Sequence, residues 1–279
     1  MAIKLIAVDM DGTFLSDTKD YDRKCFAKLY EKMLAAGIEF VVASGNQYYQ
    51  LASFHPDIFE DISYVADNGA YILATNMPIA VGEFPAGVVE KMITLIHSIP
   101  NTHFIVCGQK SAYAFADVDE DFYETIGHYY HRLEKVTSLA EIDDKLFKFA
   151  LHCPLSEYDA LLALFRTTYA DTVEAVSSGH GDIDLLIPGL NKANGLRQLG
   201  EHFGISPDQM LVFGDGDNDS HMLKYAKYGF VMENATAEIK ALSPLHAPKN
   251  TENGVLVILS EYFDNPSAFL EKYDAILAE

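Results

Sequence analysis

The feature that most restricts the fold is a short apolar run near the start of the chain, which ends in two acidic residues. The run covers Leu5–Val8, and Asp9 and Asp11 follow it together with Gly12 and Thr13. A continuous apolar run of this length is typical of a strand that is buried on both faces of a parallel sheet. Open parallel sheets bind their ligands at the carboxyl ends of their strands. The run therefore predicts a parallel sheet with an acidic site at its edge.

The order of apolar patterns along the chain predicts two regions of different architecture. Strand and helix patterns alternate up to residue 81 and again from residue 188, which is typical of a doubly wound, Rossmann-like α/β sheet. Between these segments, short strands occur in pairs among helices, which favours an antiparallel sheet. We therefore expect an α/β core domain formed by residues 1–81 and 188–279, with an inserted α+β domain at residues 82–187.

The charge of the chain limits the partners that we expect. The 279 residues include 41 acidic and 20 basic ones, which gives a formal net charge of -21. Such a surface repels nucleic-acid phosphates and anionic membranes, so we expect neither as a partner. An anionic substrate would need local positive charge from a metal ion or from a lysine placed at the site.

The cysteines and the apolar runs indicate the compartment. Cys25, Cys107 and Cys153 are far apart and odd in number, which favours free thiols in a reducing compartment. The first apolar run is too short for a secretory signal, and no run approaches the ~18 residues of a membrane helix. We therefore expect a cytoplasmic protein.

Polar clusters follow three strands of the predicted core sheet, and a lysine begins one of its helices. These residues are Asp9 with Asp11, Ser44, the acidic run Asp215, Asp217 and Asp219, and Lys192. The carboxyl ends of parallel strands share one edge, so these side chains can converge. Several carboxylates around one point need a cation, and Mg²⁺ is a hard ion that prefers oxygen ligands. Beside such an ion, one carboxylate can attack phosphorus, a second can transfer protons, and Ser and Lys can hold phosphoryl oxygens.

These motifs together resemble those of a known family, the haloacid dehalogenase-like hydrolases. The residues that carry the resemblance are Asp9-Met-Asp-Gly-Thr13, Ser44-Gly45, Lys192 and Gly214-Asp-Gly-Asp-Asn-Asp219. The large insert between Ser44 and Lys192 is similar to the α/β cap, of class IIB, in the Cof-type sugar-phosphatase branch. The resemblance covers the whole core, whereas the cap matches mainly in position and size.

The resemblance implies catalytic and metal-binding roles for four aspartates. Asp9 would be the nucleophile that forms an aspartyl-phosphate. Asp11 would be the general acid and base, and its backbone carbonyl would bind Mg²⁺. Asp9 and Asp215 would supply metal carboxylates, and Asp219 would lie close behind them. Mg²⁺ is therefore the expected cofactor.

The resemblance also implies a set of residues that bind the substrate. Ser44, Gly45 and Lys192 would bind the phosphoryl group, and Asn218 would orient the residues around it. We expect His180, which lies in a glycine-rich turn where the cap returns to the core, to face the leaving group of the substrate.

The sequence departs from the family pattern at two positions. Asn46 stands where many members carry Arg, and this removes a possible cation near the phosphate. Ala193 follows Lys192 where the usual residue is Gly. The first departure bears on how the substrate phosphate is held, and the second is the milder change.

The resemblance thus implies a Mg²⁺-dependent phosphatase that acts on a small phosphorylated metabolite, with a sugar phosphate as the expected substrate. We expect a monomer or a small homo-oligomer. Two alternatives stay open at this stage. A phosphomutase of the same fold would isomerise its substrate without releasing phosphate. A phosphosugar-binding or regulatory protein without catalysis would have no need of both Asp9 and Asp11.

Overall fold

The structure, a computed structural model, describes residues 2–179 and 182–278 and contains two β-sheets with helices packed against them. Its strands are β1 (Leu5–Val8), β2 (Glu39–Ala43), β3 (Ser63–Ala66), β4 (Tyr71–Ala74), β5 (Met77–Val81), β6 (His103–Gly108), β7 (Ala112–Phe115), β8 (Leu133–Val136), β9 (Leu146–His152), β10 (Glu174–Gly179), β11 (Asp182–Leu186), β12 (Met210–Gly214), β13 (Tyr228–Met232) and β14 (His246–Ala247). Its helices are α1 (Arg23–Ala36), α2 (Tyr48–Phe54), α3 (Ala86–His97), α4 (Glu120–Ile126), α5 (Leu155–Thr168), α6 (Lys192–Phe203), α7 (Ser220–Tyr225), α8 (Ala237–Lys240), α9 (Gly254–Asp264) and α10 (Pro266–Leu277).

The core sheet has the strand order β14-β13-β12-β1-β2-β3-β4-β5. The first strand, β1, is central and runs parallel to both neighbours, so that Leu5 lies between Met210 and Glu39. The parallel pairing extends from β14 to β3, and β4 and β5 then close one edge in antiparallel register. The prediction of an α/β core built around a parallel sheet is confirmed.

Side chains of β1 alternate between two apolar layers, as the period of a strand requires. Ile6 and Val8 lie in a buried cluster with residues of α1 and α9. Leu5 and Ala7 lie in a second cluster with residues of α6 and α7. Helices therefore cover both faces of the sheet, and the only places open to a ligand along β1 are its ends.

The second sheet has the strand order β10-β11-β9-β6-β7-β8 and is antiparallel except for the pair β7 and β8. On one face, Phe104, Phe149 and Leu185 pack against residues of α3 and α5 in a separate buried cluster. The other face looks towards the carboxyl edge of the core sheet. All six strands lie within residues 82–187, so we keep the name cap for that segment, and its bounds remain a prediction.

The apolar pattern does not predict five elements that the structure contains, namely α2, β5, β8, β14 and α10. The helix α2 has only seven residues, and the three strands are at the edges of their sheets. β5 contains Pro78, β8 has the charged residues Glu134 and Lys135 at its centre, and β14 has only two residues. The last helix buries only Phe269 and Tyr273 and therefore has a narrow apolar face. Short or weakly buried elements of this kind leave little trace in the sequence.

Two further predictions concern the thiols and membrane helices. Cys107 and Cys153 are buried, as predicted, and Cys25 is partly buried. Within the described ranges, no helix combines the length and the apolar character that a membrane span requires.

Candidate active site

Three acidic side chains meet at the carboxyl ends of two central strands. Asp9 follows β1, and Asp215 and Asp219 follow β12. One carboxylate oxygen from each lies within 4.8 Å of the others. The close approach depends on Gly214, because a Cβ atom there would lie 2.5 Å from the Cβ of Asp219. The predicted convergence of strand ends thus brings these three predicted metal ligands together.

The turn after β1 is held against the same acids. Gly12 has a φ of 78°, which glycine adopts readily, and a Cβ atom there would lie 2.4 Å from Oδ2 of Asp215. The Thr13 hydroxyl donates a hydrogen bond of 2.8 Å to Oδ1 of Asp215. The Asn234 amide donates to the Gly12 carbonyl at 2.8 Å. Gly12, Thr13 and Asn234 therefore fix the position of Asp215.

Lys192 places one positive charge among these carboxylates. Its side chain is fully buried, and its Nζ lies 2.7 Å from Oδ1 of Asp9 and 2.6 Å from Oδ1 of Asp219. The other oxygen of Asp219 accepts hydrogen bonds of 2.9 Å from the backbone N–H groups of Asp215 and Gly216. Burial opposes the charge of Lys192, but the carboxylates of Asp219 and Asp9 raise its pKa above the ordinary value. The ammonium therefore stays charged.

One ammonium does not neutralise three carboxylates. Burial raises the pKa of Asp9 well above its ordinary value; Lys192 lowers it, and Asp219 and Asp215 raise it further. Burial, followed by the charge of Asp219, raises the pKa of Asp215 to about 6. Carboxylates that are this poorly compensated favour a cation between them. The donor set of Asp9, Asp215 and Asp219 therefore fits a hard divalent metal ion.

The Asp11 carboxylate lies outside this cluster of three and faces the cleft described below. Its two oxygens accept a hydrogen bond of 2.5 Å from Nζ of Lys19 and one of 2.7 Å from Nδ2 of Asn46. Asn46, which replaces the Arg of many family members, therefore holds the predicted acid and base. The structure thus places the Asp11 carboxylate in the lining of the cleft, together with Asp9.

The predicted phosphate-binding loop, Ser44 and Gly45, follows β2 on the same edge. The Ser44 hydroxyl is buried and accepts a hydrogen bond of 3.2 Å from the backbone N–H of Asn46. A Cβ atom at Gly45 would lie 3.0 Å from the amide of Asn68, so this position also requires close approach. Both residues line the cleft beside Asp9 and Asp11.

A cleft of about 1020 Å³ separates this edge of the core from the open face of the cap sheet. Asp9, Asp11 and Asp215 line it from the core, and His152 and Asp182 are among the residues that line it from the cap. A ligand in the cleft therefore contacts the acids on one side and the cap on the other.

The predicted substrate residue Asn218 bridges the core towards the cap. Its amide donates to Oδ1 of Asn68 at 3.0 Å, and the amide of Asn68 lies 3.4 Å from Oδ2 of Asp184 on β11. Asn218 is thus placed at the junction of the two sheets, on the rim of the cleft. The remaining predicted residue, His180, lies outside the described residues.

Sequence reasoning missed a buried lysine that joins the two sheets. Lys148, on β9 of the cap, is 1% exposed, and its Nζ lies 2.7 Å from Oδ1 of Asp67 in the core. It also donates to the carbonyl of Gly45 at 2.8 Å and lies 3.7 Å from Asp184. We call Lys148, Asp67, Asp184 and Gly45 the junction cluster. The signal in the sequence that could have indicated this cluster is a lysine between Phe147 and Phe149, where an apolar residue is expected.

Comparison with known proteins gives consistent matches over nearly the whole chain. Residues 6–259 match the family described as haloacid dehalogenase-like hydrolase. The chain is 41% identical over 269 residues to the 5-amino-6-(5-phospho-D-ribitylamino)uracil phosphatase YbjI of Escherichia coli (strain K12), covering 96% of this chain and 99% of the relative. It is 22% identical over 265 residues to YitU of Bacillus subtilis (strain 168), a phosphatase named for the same compound, covering 93% and 97%. The crystal structure of SMU.1108c from Streptococcus mutans UA159 superposes with a TM-score of 0.87 at 32% identity, covering 95% of this chain and all of that one.

Proposed function

The chain belongs to the haloacid dehalogenase-like hydrolase family, in its Cof-type branch, and on that premise we propose that it is a Mg²⁺-dependent phosphatase of small phosphorylated metabolites. The two relatives described above, which align over more than nine-tenths of the chain, are named phosphatases. The observation that carries the proposal is the buried contact of Lys192 with Asp9 inside a cluster of three carboxylates. This arrangement combines a nucleophile, a fixed cation and the ligands for a metal ion.

The residues support a reaction in two steps. Because Oδ1 of Asp9 is bound by Lys192, we assign the attack on phosphorus to Oδ2. The new O–P bond forms as the ester P–O bond breaks, and Asp11 gives its proton to the leaving oxygen. Asp11 then takes a proton from water, the water oxygen attacks the phosphorus of the aspartyl-phosphate, and Asp9 is restored as inorganic phosphate leaves.

The remaining residues hold the charge that moves during these steps. Ser44 and Lys192 would hold the phosphoryl oxygens, because both are buried beside the nucleophile. Mg²⁺ held by Asp9, Asp215 and Asp219 would supply additional positive charge for those oxygens. Lys19 and Asn46 keep Asp11 in position for proton transfer.

For the substrate we propose a phosphorylated sugar or sugar alcohol, with 5-amino-6-(5-phospho-D-ribitylamino)uracil as the first compound to test. The support for this compound is the name of the relative that is 41% identical to this chain. A cleft of about 1020 Å³ also has room for a leaving group larger than a single sugar.

The test is phosphate release from this compound, from simple sugar phosphates and from p-nitrophenyl phosphate, with Mg²⁺ or with EDTA. We expect release from several compounds, fastest from the ribitylaminouracil phosphate, and loss of release in EDTA. Isomerised product without free phosphate would instead indicate a phosphomutase. A folded protein that releases phosphate from none of them would contradict the proposal.

The stability of the protein should respond to Mg²⁺ more strongly at neutral than at acidic pH. The pKa of Asp215 is raised to about 6 in the folded protein. The protonated carboxyl therefore stabilises the fold fully at a pH below its ordinary pKa near 4. This stabilisation is lost as the pH rises through about 6. Mg²⁺ binds the ionised form and offsets that loss. We therefore expect the increase in melting temperature on adding Mg²⁺ to be larger at about pH 7.5 than at about pH 5.

The measurement is thermal unfolding in EDTA and in excess Mg²⁺ at both pH values. Asp215→Asn is the matched variant, because it removes the titrating carboxylate and keeps an acceptor for Thr13. It should abolish most of the Mg²⁺-dependent increase at both pH values. An increase of equal size at both pH values in the unmodified protein would contradict the assignment.

A further inference from the structure

The wall of the cleft opposite the catalytic acids is itself acidic, and from it we propose that the enzyme selects phosphomonoesters whose leaving group is uncharged or cationic. Esters that carry a second phosphate or a carboxylate on the leaving group are rejected. The inference rests on the phosphatase activity proposed above and adds the class of leaving group that the cap accepts.

The face of the cap sheet that lines the cleft carries a polar row across three strands. Asp182, His152 and His103 are direct neighbours in the registers of β11, β9 and β6. Oδ1 of Asp182 lies 2.6 Å from Nδ1 of His152, which fixes the orientation of that ring. The next row towards the core holds Asp184, also in the lining of the cleft. Two carboxylates of β11 therefore face the same space as the catalytic acids.

The charges on this wall are not balanced by free cations. Among the described residues that line the cleft from the cap, Asp121, Asp182 and Asp184 are acidic and none is lysine or arginine. Lys148 lies 3.7 Å from Asp184 and offsets part of its charge, but its ammonium is buried and is also in contact with Asp67 and with the Gly45 carbonyl. An anionic leaving group would therefore meet like charges on the cap side.

The cations on the core side are also engaged. Nζ of Lys192 is in contact with Asp9 and Asp219, and Nζ of Lys19 is 2.5 Å from Asp11. The charge needed for the transferred phosphoryl group is thus present at the core, whereas the described cap residues that line the cleft offer carboxylates, histidines and hydroxyl groups but no lysine or arginine. Hydroxyl and amino groups can donate to such a wall, but a carboxylate or second phosphate would be desolvated beside like charges.

The test compares two substrates that differ only in the charge of the leaving group. Glycerol phosphate and 3-phosphoglycerate differ by a hydroxymethyl group in place of a carboxylate. With the Mg²⁺-loaded enzyme near pH 7.5 and at low salt, we expect kcat/KM to favour glycerol phosphate by about 20-fold or more. Because salt screens exposed charges, the ratio should shrink severalfold in about 0.5 M KCl.

Two variants assign the selectivity to the cap wall. The double change Asp182→Asn and Asp121→Asn should lower the ratio about fivefold, through a gain for 3-phosphoglycerate. Asp182→Asn keeps a side-chain oxygen that can accept a hydrogen bond from His152. Asp159→Asn is the matched control. Asp159 is exposed on α5, and this helix packs against the opposite face of the cap sheet. The kcat/KM ratio of this variant should equal that of the unmodified enzyme.

The outcomes separate this inference from the proposed function. The charge selection would be overturned if the enzyme turns over p-nitrophenyl phosphate but shows a ratio of kcat/KM for glycerol phosphate to that for 3-phosphoglycerate near one. It would also be overturned if neither salt nor the double variant changes this ratio. In both cases the proposed phosphatase activity would still stand. Absence of turnover of every ester would overturn the proposed function itself. A large ratio that falls in salt and in the double variant, but not in the control, supports the inference.

Discussion

Asp9→Asn is expected to lower the rate of phosphate release by at least about 1000-fold while the protein stays folded. An amide at this position cannot form the acyl-phosphate, but its oxygen can still accept the hydrogen bond from Lys192. The substitution also removes one negative charge from a buried cluster in which the pKa of Asp9 is already raised by burial. The melting temperature in EDTA should therefore stay within a few degrees of that of the unmodified protein or increase.

The matched control for this variant is Asp57→Asn, the same chemical change at an exposed position of the core. It should retain full activity with every substrate. Both proteins are compared in excess Mg²⁺, with the melting temperature measured on the same samples. If Asp9→Asn keeps more than about a tenth of the activity, the nucleophile is a different group.

Lys148→Met is expected to lower the free energy of unfolding by about 3 to 5 kcal/mol, the largest loss of stability among the changes considered. The side chain of Lys148 is 1% exposed and that of Asp67 is 2% exposed, so their contact is shielded from water. Burial opposes the charge of Lys148, but Asp184 and Asp67 outweigh it and raise its pKa. Methionine fills a similar volume, so we attribute the expected loss of stability to the carboxylates that are left without their cation.

Two further variants identify the cause of this loss. Lys145→Met makes the same change three residues earlier at an exposed position, and its free energy of unfolding should change by less than about 0.5 kcal/mol. Adding Asp67→Asn to Lys148→Met removes one of the uncompensated charges and should recover about half of the loss. The measurement is urea unfolding, followed by circular dichroism. A loss that the second change does not reduce would mean that packing, and not charge, is responsible.

The acidic edge of the core sheet could be predicted from the sequence because it depends on local patterns. Asp9 and Asp215 directly follow apolar strands, and the topology of a parallel sheet brings such strand ends together. The glycines at positions 12 and 214 add a local constraint, because Gly12 leaves room for the Asp215 carboxylate of the other segment and Gly214 leaves room for Asp219 of its own segment. The α/β core could therefore be predicted with its acidic edge.

The junction cluster could not be predicted in the same way. Lys148 is 103 residues from Gly45, and the strand pattern of β9 shows which face a residue is on but not what lies opposite. The cap wall has the same difficulty, since Asp182 and His152 become neighbours only when β9 and β11 pair. Contacts between sheets depend on how the two units dock, and no periodicity in one segment encodes that geometry. The role of Asn218 in orienting the phosphate site stays a prediction, and the structure places its amide in contact with Asn68 at the junction.

The central position of β1 also affects how the protein is made. All cap strands have been synthesised once the ribosome reaches residue 186. One edge of β1 stays unpaired until β12 has been synthesised, because Leu5 pairs with Met210. During synthesis the cap can become ordered while β1, the strand that precedes Asp9, still has an open edge. Long-range pairing of this kind is slow, and open edges are prone to aggregation. A nascent chain halted before residue 210 would thus expose the unpaired edge of β1 and depend on chaperones.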